Sequence, residues 1–247
     1  VTGTVGNTAV GYRSGYAVTS GVGNTAVGYQ SAVAITTAQY NTVMGYNALG
    51  AEVTRGTAVA IGWGALQDQT HGSDGANSEN TGVGFLALSE NVTGKSNTAV
   101  GFEAMKGVNG NSSTGNTAIG KQSLGAITTG GYNVAVGQSA GDGVTTGGSN
   151  ILLGSLAGDG ISDASHIVAI GDSAARLGTV TTDANGSVAV GSYSLGALTS
   201  GIANTAVGYE ALQAEDDGDY NTAVGYGVFN KQTGTSGTTA NTGVGYR

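Results

Sequence analysis

The sequence predicts an all-β fold, a parallel β-solenoid of about fourteen coils, on the strength of its repeat and of its hydrophobic phase. A variant of Asn-Thr-Ala-Val-Gly-Tyr recurs fourteen times in 247 residues, and its glycines lie 17 residues apart in most steps, with longer steps of 19, 20 and 22. That period is too short for a helix pair and suits one solenoid coil, in which longer steps are loop insertions. The apolar residues keep one phase throughout, so a single solenoid domain is expected over residues 1–247. The repeat glycines are Gly11, Gly28, Gly45, Gly62, Gly84, Gly101, Gly120, Gly137, Gly154, Gly171, Gly191, Gly208, Gly225 and Gly245.

Each copy is expected to contain a short strand that ends at the glycine. The residue before the glycine is a large apolar one in all fourteen copies, and the residue three before it is Thr, Val or Ile. These two positions share one face of a strand, and the residue between them is nearly always Ala or Gly. The bulky face, represented by Val207, is expected to fill the coil interior, and the flat face is expected to meet a second surface.

The residues on either side of this strand predict sharp turns. Asn stands four before the glycine in eleven copies, and both Asn and Gly take positive φ at little cost, so together they can bracket a very short strand. A small residue and then an apolar residue follow the glycine, as in Ala48 and Leu49, and predict a second strand. The structural repeat positions are represented by Asn7, Val10, Gly11, Asn24, Val27, Gly28, Asn97, Val100, Gly101, Asn204, Val207 and Gly208.

The composition indicates a packed protein whose surface is partly covered by other chains. Glycine accounts for 47 residues and proline for none, but the 39% of hydrophobic residues fall in phase with the repeat and so build a core. Only 10% of residues are charged. A coil this thin has little interior, which predicts that partner chains cover much of its surface. The repeat runs from Val1 to Arg247, which predicts a segment of a longer fibre chain.

The composition also disfavours several classes of partner. A net charge of −8 with scattered basic residues disfavours nucleic acid, because phosphate binding needs clustered Lys and Arg. No apolar run approaches the roughly 18 residues of a membrane span, so no membrane insertion is expected in this segment. The chain has no cysteine, which excludes a disulfide framework and a thiolate metal site.

No catalytic constellation is visible in the sequence. His71 and His166 lie in different coils, and no nucleophile elbow or phosphate-binding lysine motif occurs. We therefore expect no enzyme activity and no cofactor. An ice-binding solenoid is a remote alternative, which would need a flat array of Thr, but Val or Ile replaces the repeat Thr in five coils.

Two variants of the repeat resemble those of known attachment proteins. Ser187-Val-Ala-Val-Gly-Ser and His166-Ile-Val-Ala-Ile-Gly-Asp resemble head repeats of trimeric autotransporter adhesins, and the stretch from Asn204 to Leu212 is more similar to repeats of bacteriophage tail fibres. The resemblance implies a left-handed parallel β-roll assembled as a homotrimeric fibre. It also implies an extracellular role in host attachment, on a virion tail fibre or, alternatively, on a bacterial cell surface. The partner would be a cell-surface glycan or a protein receptor.

Four aspartates are weak candidates for cation ligands. Asp142 and Asp159 stand in identical Gly-Asp-Gly contexts one period apart, so their carboxylates should stack about 5 Å apart and repel unless water or a cation separates them. Asp217 and Asp219 belong to an acidic run at residues 215–219 that has the composition of a calcium loop without its ligand spacing. Solvated turn residues with no metal are the alternative in both places.

An aromatic stripe follows the repeat glycine and turns polar between Lys121 and Ser192. One interpretation is a ladder of rings that stack between coils or against a neighbouring protomer, and the other is an exposed platform for sugar rings. The aromatic members are Tyr12, Tyr29, Tyr46, Trp63, Phe85, Phe102, Tyr209, Tyr226 and Tyr246.

The longest step of the repeat, between Gly62 and Gly84, adds five residues. The loop from Gln67 to Ser78 is rich in Gly, Ser, Asp and His, and loops carry binding more often than rigid coils do. Within this segment the loop is where receptor contacts are expected, and an insertion without function, which loop-closure entropy tolerates at little cost, is the alternative. A substitution such as Asp74→Asn should leave stability unchanged.

Overall fold

The computed structural model describes residues 6–54, 56–70, 77–108, 110–176, 184–233 and 237–247. The fold is all-β, and no α-helix occurs in these residues. The chain divides into two compact units, Val1–Gln122 and Ser123–Arg247. That residues 1–247 form a single domain stays a prediction.

The first unit contains seven parallel strands of three residues each. Within this unit each strand pairs with the next one in an unshifted register, so that Thr8 faces Thr25 and Ala9 faces Ala26. Equal repeat positions therefore stack on one another along this unit. The strands are β1 (Thr8–Val10), β2 (Thr25–Val27), β3 (Thr42–Met44), β4 (Val59–Ile61), β5 (Thr81–Val83), β6 (Thr98–Val100) and β7 (Thr117–Ile119).

The second unit repeats this arrangement and adds a small two-stranded sheet. Seven of its strands continue the repeat in parallel order, and β13 pairs with β15. The fourteen repeat strands form a β-solenoid, with about thirteen turns of chain between the first strand and the last. This confirms the predicted parallel solenoid. The strands are β8 (Val134–Val136), β9 (Ile151–Leu153), β10 (Val168–Ile170), β11 (Val188–Val190), β12 (Thr205–Val207), β13 (Gly218–Asp219), β14 (Thr222–Val224), β15 (Gly237–Thr238) and β16 (Thr242–Val244).

The strands face the opposite way from the expectation. The small middle residue points inward, since Ala99 and Ala206 are fully buried, whereas Val100 is 37% and Val207 is 36% exposed. The prediction that Val207 lies in the coil interior was wrong. The strand contributes Ala or Gly to the interior in most coils, with Val43 and Leu152 as larger exceptions, and Leu, Ile and Val from the following turns fill the remaining interior.

The segment after the glycine was predicted as a second strand and is a turn. Residues two and four after the glycine, such as Asn47 and Leu49, both have φ of about 50°. The Asn47 N–H donates back to Tyr29 O at 3.0 Å, and the Leu49 N–H donates forward to Ala65 O at 2.9 Å. The backbone N–H groups of this turn therefore donate alternately to the preceding and the following coil, although the turn is not a strand. Burial of a side chain such as Leu49, worth about 1.5–3 kcal/mol, offsets the left-handed conformation, which costs about 1–2 kcal/mol.

Candidate interaction surfaces

A row of large apolar side chains points away from the core in each unit. These residues precede the repeat glycine, and we call the row the outer strip. Val10 at 57% and Met44 at 48% are its most exposed members in the first unit, and Val244 at 78% is the most exposed in the second. Its other members with more than a third of their surface exposed are Val100, Ile119, Val136, Val207 and Val224.

The aromatic stripe forms a ladder of stacked rings beside the outer strip. From Tyr12 to Phe102, consecutive ring centroids lie 5.1–5.7 Å apart with interplanar angles of 6–20°. In the second unit, Tyr209, Tyr226 and Tyr246 stack at 5.3 and 5.2 Å. The predicted ladder between coils is confirmed. Because the ring faces contact one another, the exposed part of each inner ring is its edge, which disfavours the ladder as a sugar-stacking platform.

The repeat asparagines form a buried ladder of amides. Asn97 Oδ1 accepts from the backbone N–H of Asn116 at 3.0 Å, and its Nδ2 donates to Ser113 O at 2.8 Å. Asn204 behaves alike: Asn221 N–H donates to its Oδ1 at 2.9 Å, and its Nδ2 donates to Gly218 O at 2.6 Å. Each buried amide therefore depends on the following coil for both bonds.

The positive φ expected at these asparagines belongs to the residue before them. In all fourteen copies that preceding residue has φ between 47° and 75°, and bulky side chains such as Tyr40 and Tyr220 accept it. The predicted turn role of Asn was therefore wrong, because the amide is needed for hydrogen bonds inside the coil. At the repeat glycine the prediction is confirmed: Gly208 has φ of 137°, and a Cβ there would collide with the carbonyl of Gly225.

The prediction for the first pair of acidic candidates, Asp142 and Asp159, missed a basic residue close to Asp159. Arg176 Nε lies 4.0 Å from Asp159 Oδ2. Partial burial raises the pKa of Asp159, and the positive charge of Arg176 opposes that rise. Arg176 occupies the same repeat position as Asp142 and Asp159, five residues after a glycine, so the sequence contained this signal. The guanidinium supplies positive charge at Asp159 without a metal.

The second acidic group splits into a cluster and a separate residue. Carboxylate oxygens of Glu215, Asp216 and Asp217 lie within 4.8 Å of one another. Asp219 Oδ1 instead accepts from the N–H of Ile202 at 3.0 Å, in the preceding coil. Desolvation, followed by the charge of Asp216, raises the pKa of Asp217. A cation at Asp217 stays a prediction.

The sequence reasoning missed two buried glutamates. Glu52 and Glu215 both stand seven residues after a repeat glycine and are 1% and 0% exposed. In the next coil a Gln takes the same position: Gln232 Nε2 donates to Glu215 Oε2 at 2.8 Å, and Gln69 Nε2 lies 3.5 Å from Glu52 Oε2. Val or Ile occupies this position in most other coils. A Glu followed by a Gln in the next coil could therefore have been recognised from the sequence as a buried polar pair.

Two residues at the ends of the predicted receptor loop, Gln69 and Ser78, are buried. His71 and Asp74 lie outside the described residues. His166 is exposed, at a left-handed turn position.

Comparison with known proteins adds no assignment to these surfaces. Among the described residues, no helix is long and apolar enough to cross a membrane. No protein family, curated protein or solved structure matches the chain.

Proposed function

We propose that this chain is a rigid segment of an extracellular, homotrimeric attachment fibre, wound as a left-handed β-roll and belonging to a phage tail fibre. The alternative, the head of a bacterial trimeric adhesin, shares the trimer and differs in what anchors it. Both roles are mechanical: the segment holds a receptor-binding part away from its base and performs no catalysis.

The outer strip beside the aromatic ladder is the observation that supports this proposal. Six stacked rings of the first unit are each 41–62% exposed. Since an aromatic side chain offers about 150–250 Å², these rings alone leave on the order of 500 Å² of apolar surface in solvent. The largest apolar patch on a typical monomer is about 300–600 Å² and is often functional, and here the outer strip adds further apolar surface beside the rings.

A second copy of the chain is the partner that fits this surface best. The apolar groups recur with each coil, at the strand spacing of about 4.8 Å. Another copy presents the same groups at the same interval, so side chains of the two copies can interdigitate along the whole strip. Closed rotational symmetry, here threefold, lets every copy cover one neighbour and be covered by another.

The coil-to-coil hydrogen bonds supply the stiffness that a fibre requires. Parallel strands, alternating turns and buried amides all bond along the stacking direction in each unit. Bending a unit would stretch several of these bonds at every turn, and each contributes about 0.5–1.5 kcal/mol.

Multi-angle light scattering tests the proposal directly. The chain should have a mass three times its 24.0 kDa at micromolar concentration. The double variant Val100→Glu/Val224→Glu places a charge on the outer strip of each unit and should give folded monomers. Val53→Glu is the matched control, because Val53 is 42% exposed but lies outside the strip, and it should stay trimeric. A wild-type chain that is a folded monomer contradicts the proposal.

A further inference from the structure

A polar recess opens on the wall of the first unit between two successive coils. It has a volume of about 240 Å³ and is lined by Thr37, Gln39, Tyr40, Thr54, Thr57 and Asn77. All six side chains are exposed and all are neutral. The lining belongs neither to the outer strip nor to the aromatic ladder.

Backbone bonds hold the floor of this recess. Gly56 is buried, and a Cβ there would collide with the carbonyl of Gln39. Thr57 N–H donates to that carbonyl at 3.0 Å, and Ser78 Oγ donates to Gly56 O at 3.1 Å. The two coils and the return from the long insertion are therefore tied together beneath the recess.

The buried carboxylate of Glu52 fixes one side of the rim. Its Oε1 accepts from the N–H groups of Val53 and Thr54 at 3.0 and 3.1 Å. The turn that carries Thr54 is thus held from inside the coil. A rim fixed in this way binds a ligand with less loss of conformational entropy.

The polar side chains of the recess have spare hydrogen-bonding capacity. Within the described chain, the side chains of Gln39, Thr54 and Asn77 make no hydrogen bond, as is also true of Thr37. Neighbouring Thr36 differs, because its hydroxyl donates to Val53 O at 3.0 Å. Amide and hydroxyl groups that point to solvent around a concave floor are suited to a ligand rich in hydroxyls.

Tyr40 adds an apolar surface to this polar rim. Its ring lies against the backbone of Gly23, where a Cβ would be 2.7 Å from Cδ1, yet the residue is 63% exposed. Unlike the rings of the ladder, this tyrosine has no stacked aromatic neighbour among the described residues. It can therefore offer ring surface to the C–H face of a sugar.

We propose that this recess binds a neutral saccharide and provides a glycan contact for the attachment fibre; the inference rests on that proposed function. None of the six described side chains that line the recess carries a charge to select a phosphate or a carboxylate. The volume is below the roughly 300–1,000 Å³ of pockets for drug-sized ligands, so the recess suits a single sugar residue of a longer glycan.

Saturation-transfer NMR on the full chain tests the proposal, with the methyl glycosides of glucose, galactose, mannose and N-acetylglucosamine as probes at millimolar concentration. At least one probe should bind, and Tyr40→Gly and Asn77→Ala should each weaken its binding at least tenfold. Glycine occurs at the Tyr40 position in other coils, so the first variant preserves the backbone. Tyr132→Gly is the control, since Tyr132 occupies the same repeat position, is 71% exposed and lies outside the recess.

Two outcomes overturn the saccharide site: none of the four probes binds, or Tyr40→Gly binds as wild type does. Light scattering on the same samples separates this result from the fibre proposal. A trimer that binds no probe contradicts only the recess. A monomer whose binding depends on Tyr40 contradicts only the trimer.

Discussion

Leu152 fills the space that Gly158 leaves open in the next turn of the chain. A Cβ on Gly158 would lie 2.6 Å from Leu152 Cδ2, so the two positions share one volume. In five coils the strand contributes Ala or Gly and the turn contributes Leu, as with Ala206 and Leu212. Here the sizes are exchanged between strand and turn, which keeps the core filled.

This exchange predicts that a second substitution compensates for the first. Leu152→Ala should cost about 2–5 kcal/mol in the free energy of unfolding, because it leaves a cavity. Gly158→Leu alone should cost about 1–3 kcal/mol through overpacking. The double variant should recover at least half of the Leu152→Ala loss, since Leu adopts this left-handed position in other coils. Chemical denaturation of the four proteins measures the coupling, and strict additivity would contradict it.

The orientation of the strands predicts a large contrast between adjacent residues. Ala206→Asp places an unpaired carboxylate in a fully buried position and should prevent folding or cost more than about 3 kcal/mol. Val207→Asp places the same group at a position that is 36% exposed, so the coil should keep its circular dichroism spectrum. If Val207→Asp unfolds the coil while Ala206→Asp leaves it intact, the assigned inward face is incorrect.

Because the pKa of Asp217 is raised, we expect this residue to destabilise the fold at neutral pH but not at acidic pH. Its pKa in the folded protein lies above the usual aspartate value of 3.8. Between the unfolded and the folded pKa of this carboxyl, the native state therefore binds more protons than the unfolded state. The free energy of unfolding accordingly falls as pH rises through the folded pKa. Asp217→Asn should raise the melting temperature at pH 7, and this gain should disappear below pH 3.8. The control Asp172→Asn removes an exposed carboxylate and should give a smaller gain at pH 7, whereas an equal gain would indicate a general charge effect.

The period and register could be predicted from the sequence, but the inward face could not. Equal residues such as Thr8 and Thr25 must stack when the repeat length is constant. Both faces of the strand are apolar, however, so alternation contains no polar side to identify solvent. The turn at Leu49 was missed for a related reason: leucine rarely adopts a left-handed conformation, and its apolar character suggested a strand.

Of the surfaces, those that follow the repeat were predictable and those that depend on local bonding were not. The aromatic ladder follows from one position in each coil, and the pairing of Asp159 with Arg176 could have been found in the same way. The recess at Tyr40 differs, because it depends on which hydroxyl and amide groups the fold has already engaged. Thr36 and Thr37 are adjacent threonines, yet only the hydroxyl of Thr36 donates a hydrogen bond to the next coil.

The amide ladder gives each stack of coils a direction of growth. Asn24 Oδ1 accepts from Asn41 N–H at 3.0 Å, and Asn24 Nδ2 donates to Ala38 O at 2.8 Å, so both partners are made later in synthesis. A nascent chain that winds from its N-terminus therefore has one unsatisfied amide at its tip. Each new coil bonds that amide and, in the eleven copies that carry Asn, presents the next, so the penalty at the growing end does not accumulate as coils are added.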